Sequence, residues 1–207
     1  HVLVAVGRQP ASQRLGLENT EVRLDDSGFV VTDQQYRTDD PQILAIGDVA
    51  GEPMLAHKAT HEAKIAIDAL LGKPLRPTSH TIPAVVFTEP EVAWAGMTET
   101  VARTTGQAYR AAIYPWAASG RAHSLGQTDG LTKWLVDPES DRVIGCGIVG
   151  PGAGELIGEA VMAIDNRLKV SAIGETIHPH PTLSETMMNA ADVYLGTALE
   201  IYKPRRG

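Results

Sequence analysis

Two β-rich runs, Leu131–Val136 and Val143–Val149, flank a segment that opens Asp137-Pro138-Glu139-Ser140, and this spacing constrains the fold more than any other feature of the chain. Short runs rich in Val, Ile, Leu and Trp favour strands, and the Asp-Pro cluster between them favours a turn. The pair therefore predicts an antiparallel hairpin. Helical spacing follows: Leu156, Ile157, Ala160, Val161, Ile164 and Leu168 recur on one face, and residues 183–195 form a second helix that opens with Thr182. A hairpin followed by helices predicts an α+β unit, entered through a linker over residues 74–83.

Upstream, residues 2–6 read as an apolar strand and residues 28–32 as a second, shorter one, too little to fold alone. Pro41 leads into the apolar run Ile43-Leu44-Ala45-Ile46, which ends at Gly47-Asp48. A helix is expected over residues 57–71, with Ala59, Ala63, Ala66, Ile67 and Leu70 on its buried stripe and Gly72 and Pro74 stopping it. The chain opens directly on an apolar run with no leading loop, and reads as part of something longer.

Composition narrows the function classes. The 207 residues are 43% hydrophobic and 21% charged, enough for a sizeable core and more than one packing unit. A net charge of −7 argues against nucleic acid, which needs a surplus of Lys and Arg; only Lys203-Pro204-Arg205-Arg206 is locally basic. No apolar run approaches the roughly 18 residues of a membrane span, so no membrane contact and a cytoplasmic setting are expected. The single cysteine, Cys146, excludes an internal disulfide framework or a multi-cysteine metal site in this chain and reads as core.

The chemistry concentrates in His178-Pro179-His180-Pro181-Thr182-Leu183-Ser184-Glu185. Pro181 disfavours the α conformation at His180, which should stay outside the helix while Glu185 lies inside it. On a continuous helix the two side chains would stand about 140° apart, so their meeting depends on the proline break. Thr182-x-x-Glu185 is also a capping box, with Thr182 as N-cap, and such a box alone is only a cap. Gly145-Cys146-Gly147-Ile148-Val149-Gly150 matches the GxGxxG dinucleotide pattern, but its glycines fall inside a strand rather than in a strand-to-helix turn; close backbone approach explains them better. Gly47-Asp48 at a strand end is a place where a carboxylate can accept bonds from sugar or polyol hydroxyls, or simply a turn aspartate. His57 and His61 have metal-ligand spacing, but Lys58 stands where a zincin helix needs Glu, so no metal is expected.

Taken in order, Ala45-Ile46-Gly47-Asp48-Val49-Ala50, Met54-Leu55-Ala56-His57-Lys58-Ala59, Phe87-Thr88-Glu89-Pro90-Glu91-Val92-Ala93, Pro115-Trp116-Ala117-Ala118-Ser119-Gly120-Arg121-Ala122 and residues 178–185 resemble the C-terminal part of the dihydrolipoamide dehydrogenases, class I pyridine nucleotide-disulfide oxidoreductases. The resemblance implies three segments: residues 1–38 the end of an NAD-binding domain, residues 39–76 the second segment of an FAD-binding domain, and residues 77–207 an α+β interface domain that forms a homodimer. It implies that Asp48 holds the flavin ribityl chain and that the backbone of Met54, Leu55, Ala56 and His57 lies against the flavin ring. It places Ala5, Val6, Gly7 and Arg8 at the NAD site. His180 becomes a general base oriented by Glu185 and acting in the partner subunit's site. The implied partners are the lipoyl domain and the subunit-binding domain of a 2-oxo acid dehydrogenase complex acyltransferase. Ala63 stands where a glycine is common in the family.

The N-terminal flavin fingerprint, the redox cysteine pair and most of the nicotinamide domain are not in this sequence, so the polypeptide alone is expected to be inactive. Two other readings stay open. One is a non-catalytic dimerisation and docking module. The other is a glutathione or mercuric type of disulfide reductase, although residues 201–207 lack the cysteine pair with which mercuric reductase ends.

Overall fold

The computed structural model describes residues 1–74 and 81–201, and the chain divides into two compact units, residues 1–79 and 80–207. The predicted hairpin is the centre of the second unit: β4 (Leu131–Val136) and β5 (Val143–Val149) pair antiparallel, with Thr132 opposite Ile148 and Trp134 opposite Cys146. Its turn is held by the Asp137 carboxylate, which accepts from the Glu139 and Ser140 amides at 2.8 and 3.1 Å. Those amide bonds hold the Asp137 carboxyl below its ordinary range. Three further strands, β1 (Ala84–Val86), β2 (Val92–Gly96) and β3 (Arg110–Pro115), complete an antiparallel sheet ordered β1-β2-β5-β4-β3.

One face of the sheet is dry. Ala93 and Ala95, Cys146 and Ile148, Thr132 and Trp134, and Ala112 and Tyr114 stand on adjacent strands and are all buried. The small alanines leave room for the large rings beside them. Helix α4 (Ala153–Asp165) packs on β2 and β5, and α6 (Glu185–Leu195) on β3 and β4. Short helices α2 (Glu99–Thr105), α3 (Gly120–Leu125) and α5 (Val170–Gly174) connect these elements. Leu168, expected on the first helix, lies beyond the end of α4 and is 39% exposed; its amide bonds Ala163 O and Val143 N bonds its carbonyl, so it serves as a connector.

Two of the three glycines in the GxGxxG look-alike are explained by close approach within the sheet. A Cβ at Gly145 would sit 2.0 Å from Met97 O, and one at Gly150 would sit 2.1 Å from the Trp116 ring; at Gly147 nothing lies within 4 Å. Gly145→Ala should therefore destabilise the unit by about 1–3 kcal/mol through overpacking, whereas Gly147→Ala should leave the urea midpoint nearly unchanged. Equal midpoints for the two variants would refute this account. Cys146 is buried, and desolvation pushes its thiol well above the ordinary value.

The first unit is sparser. Val22, Val30 and Ala45 form a small core, and α1 (Ala56–Leu70) follows the Gly47–Val49 turn of 3-10 helix. Residues 2–6 form no strand: a strand is held by neighbouring N–H and C=O groups, none of the described residues pairs with this run, and Val2, Leu3, Val4 and Val6 are 74–91% exposed. Residues 28–32 contribute only a bridge between Leu24 and Val30, and residues 43–46 only one between Arg37 and Leu44. The buried stripe of α1 is also rotated from the expected one. Lys58, Glu62, Ile65, Ala66 and Ala69 face inward, while Ile67 and Leu70 are exposed. Part of the expected linker, residues 75–80, and the basic tail fall outside the described residues.

Candidate functional site

The second unit brings the predicted imidazole and carboxylate together. His180 lies outside the helix, at a bend before α6, and its Nδ1 is 2.8 Å from Glu185 Oε1, in the first turn of the helix. The other carboxylate oxygen, Oε2, accepts from the Thr182 amide at 2.7 Å. Glu185 thus spans Pro181 and holds the chain on both sides of it. Burial works against ionisation of Glu185, but the Thr182 amide, the His180 hydrogen bond and the nearby imidazoles outweigh it and hold the carboxyl below its ordinary value. A carboxylate next to Nδ1 selects the tautomer with the proton there. Nε2 is left to act, and the imidazole is 77% exposed, so a substrate can reach it.

The expected capping box is only half made. The helix begins at Glu185 with Ser184 before it, and Thr182 is not its N-cap. The Thr182 hydroxyl donates to Pro179 O at 2.7 Å and lies 2.8 Å from Ser184 Oγ, so it is turned toward the His-Pro segment rather than the helix amides. Those amides are met otherwise: Thr186 N and Met187 N donate to the carbonyls of Leu183 and Ser184.

A buried polar relay, which sequence periodicity did not reveal, fixes the start of α6 to the sheet. Trp116 Nε1 donates to Thr132 Oγ1 at 3.0 Å, Thr132 Oγ1 lies 2.8 Å from Thr186 Oγ1, and Thr186 Oγ1 donates to Leu183 O at 2.7 Å. Trp134 Nε1 adds a bond to Met187 O at 3.0 Å. In a dry core each of these donors costs about 1–3 kcal/mol if left unpaired, so the first turn of α6 has one position. The available signal was two threonines, Thr132 and Thr186, standing at positions that should be apolar.

In the first unit, Asp48 sits in the turn at Gly47–Val49, which two side chains clamp through three hydrogen bonds. Gly47 N donates to Glu62 Oε2 at 2.6 Å, while Lys58 Nζ donates to the carbonyls of Gly47 and Gly51 at 3.3 and 3.0 Å. Lys58 and Glu62 pair at 2.8 Å with side chains only 8% and 5% exposed. Burial and the Glu62 carboxylate push the Tyr36 hydroxyl up. Gly47 itself has φ of +75°, and an added Cβ would lie 3.0 Å from Ala59 Cβ. Arg8 comes to this turn: its Nη1 is 3.9 Å from Asp48 Oδ2 and its Nη2 donates to Met54 O at 2.7 Å. Met54 is buried, Leu55 half-buried, and Ala56 and His57 exposed at the start of α1, which has no side-chain cap. Ala5, Val6 and Gly7 are exposed and make no strand.

The antiparallel sheet backed by two helices, which carries the His180–Glu185 pair, falls in a region that matches a dimerisation-domain family. Residues 82–191 match the family model for the pyridine nucleotide-disulphide oxidoreductase dimerisation domain, and residues 1–63 match that for pyridine nucleotide-disulphide oxidoreductase. The chain belongs to the pyridine nucleotide-disulphide oxidoreductase family. It is 46% identical over 200 residues to dihydrolipoyl dehydrogenase of Vibrio cholerae, covering 97% of this chain and 42% of that protein. It is also 46% identical over 203 residues to dihydrolipoyl dehydrogenase of Bacillus subtilis, covering 98% and 43%. Among solved structures, LpdA from Mycobacterium tuberculosis superposes with a TM-score of 0.84 at 31% identity, covering 92% of this chain and 42% of that one. The HOCl-induced flavoprotein disulfide reductase RclA from Escherichia coli superposes with a TM-score of 0.82 at 32% identity, covering 88% and 42%. The chain thus spans less than half the length of the relatives it matches. Among the described residues, no helix is long and apolar enough to cross a membrane.

Proposed function

We propose that this chain is the base-bearing portion of a dihydrolipoyl dehydrogenase, which oxidises protein-bound dihydrolipoamide with NAD as acceptor. The carrying observation is the pair itself, His180 Nδ1 at 2.8 Å from Glu185 Oε1, with the same carboxylate anchored on Thr182 N. A dihydrolipoyl thiol, with an ordinary pKa of about 8.5, needs a base to form its thiolate at neutral pH, and the exposed His180 imidazole is placed to take that proton. His180 Nε2 takes that proton, and Glu185 stabilises the imidazolium through Nδ1–H. The thiolate so formed attacks a disulfide carried by the rest of the enzyme. The base acts in the site of a partner subunit, the homodimer being formed through residues 77–207.

The first unit suits a flavin, and residues 1–38 and 39–76 fit as the pieces of the NAD-binding and FAD-binding domains. The Asp48 carboxylate is half-exposed on a clamped turn, where it accepts from hydroxyls, and α1 presents an uncapped, positively polarised start at Ala56. Met54, Leu55, Ala56 and His57 supply the backbone beside the ring, and Ala5, Val6, Gly7 and Arg8 the edge toward NAD. Bound FAD would supply the electron acceptor and NAD the final hydride acceptor. Protein partners would be the lipoyl and subunit-binding domains of a 2-oxo acid dehydrogenase acyltransferase.

The test is a coupled assay on the full-length protein that contains this chain. A yellow dimer that reduces NAD with dihydrolipoamide supports the reading. Reduction of glutathione disulfide or mercuric ion instead would assign a sister activity, and a colourless dimer that only binds an acyltransferase fragment would assign a docking module.

A further inference from the structure

We propose that His178 is the positioning residue for His180, with Glu159 as its anchor. The inference rests on the reading of His180 as the general base. The two histidines stand two residues apart in opposite environments: the His178 side chain is 5% exposed, that of His180 77%. Both ring nitrogens of His178 are engaged, Nδ1 at 2.9 Å from Thr176 O and Nε2 at 2.9 Å from Glu159 Oε1. A carbonyl oxygen only accepts, so Nδ1 donates to Thr176; a proton must also lie between Nε2 and the Glu159 carboxyl, since two lone pairs would repel.

Glu159 belongs to α4, whose first turn is fixed in turn by Glu91 Oε2 accepting from Gly154 N at 3.1 Å. That helix packs on β2 and β5. The chain is therefore tied to the rigid layer just before Pro179, through His178, and again just after Pro181, where Thr182 N meets Glu185. Between the ties stand two prolines whose rings fix φ. His180 is the one residue between them, so its backbone position follows from the two anchors. Without the His178 tie, Glu185 would still hold the imidazole, but the segment would pivot about Pro181.

The experiment uses the full-length enzyme and compares His178→Ala, Glu159→Ala and Glu159→Gln, alone and combined with His180→Gln. A displacement of about 1 Å at a catalytic group can cost about 10² in rate, so His178→Ala should lower kcat with dihydrolipoamide by up to that factor, kcat and kcat/KM falling together. Reduction of the bound flavin by NADH, which uses no base, should be unchanged. In the His180→Gln background the same substitution should cost nothing further, because it acts only through His180. Glu159→Gln should keep most of the turnover, since an amide can still bond the ring, while Glu159→Ala should behave like His178→Ala and serves if that variant fails to fold. Equal losses in the wild-type and His180→Gln backgrounds, a parallel loss of flavin reduction, or an undiminished kcat would overturn the proposal. Full turnover in His180→Gln alone would overturn both the base reading and the inference built on it.

Discussion

Replacing His180 by Gln in the full-length enzyme is expected to lower dihydrolipoamide turnover by 10² to 10⁴, the usual worth of a general base, or about 3–5 kcal/mol of barrier. Glutamine is close in size, so the segment between Pro179 and Pro181 should keep its course, and Glu185 should keep its bond to Thr182 N at 2.7 Å. The amide cannot take a proton from a thiol. The loss should appear in kcat and kcat/KM alike, with stability unchanged, because an imidazole 77% exposed contributes little to packing. Turnover within about twofold of wild type, against that expected range, would remove His180 from the mechanism.

The second large effect is expected in the first unit. Glu62→Ala leaves the Lys58 ammonium buried without its counter-ion and the Gly47 amide without its acceptor. Breaking a buried pair from one side costs about 3–5 kcal/mol, because the remaining charge is uncompensated. The double variant Lys58→Met with Glu62→Gln removes both charges and retains an acceptor for Gly47 N, so it should recover much of that loss. Urea denaturation gives the magnitude, and hydrogen exchange at Gly47 N gives the location: its protection should fall in Glu62→Ala and persist in the double variant. A single-variant cost below about 1 kcal/mol would place the pair among ordinary surface ion pairs. Because this clamp sets the turn that carries Asp48, flavin retention should fall with it.

The departures from sequence-based expectation have a common cause. Periodicity counts apolar residues and so places Ala59, Ala63, Ala66, Ile67 and Leu70 on the buried stripe of α1, yet the inward face is led by Lys58 and Glu62. A charged pair goes inside when its partners are already there, and here those partners are the backbone groups of Gly47 and Gly51, which local pattern does not expose. The spacing of Thr182 to Glu185 predicts an N-cap, but the carbonyl of Pro179 competes for its hydroxyl. The strands expected over residues 2–6 and 28–32 did not form because β propensity describes a residue that has neighbours, and among the described residues those runs have no strand beside them.

What the sequence determined by itself was whatever rests on short-range physics. The hairpin at 131–149 follows from β-rich runs around an Asp-Pro turn, the end of α1 from its glycine and proline stops, and the placing of His180 outside the helix and Glu185 inside it from the steric rule at proline. Tertiary structure alone decided how those local pieces are held. The tie from His178 to Glu159 joins residues distant in the chain through a part-buried hydrogen bond, and the Trp116–Thr132–Thr186 relay and the clamp on Gly47 do so in a dry interior. Such bonds are strong because water is excluded, and exclusion of water is a property of the packed layers rather than of any segment.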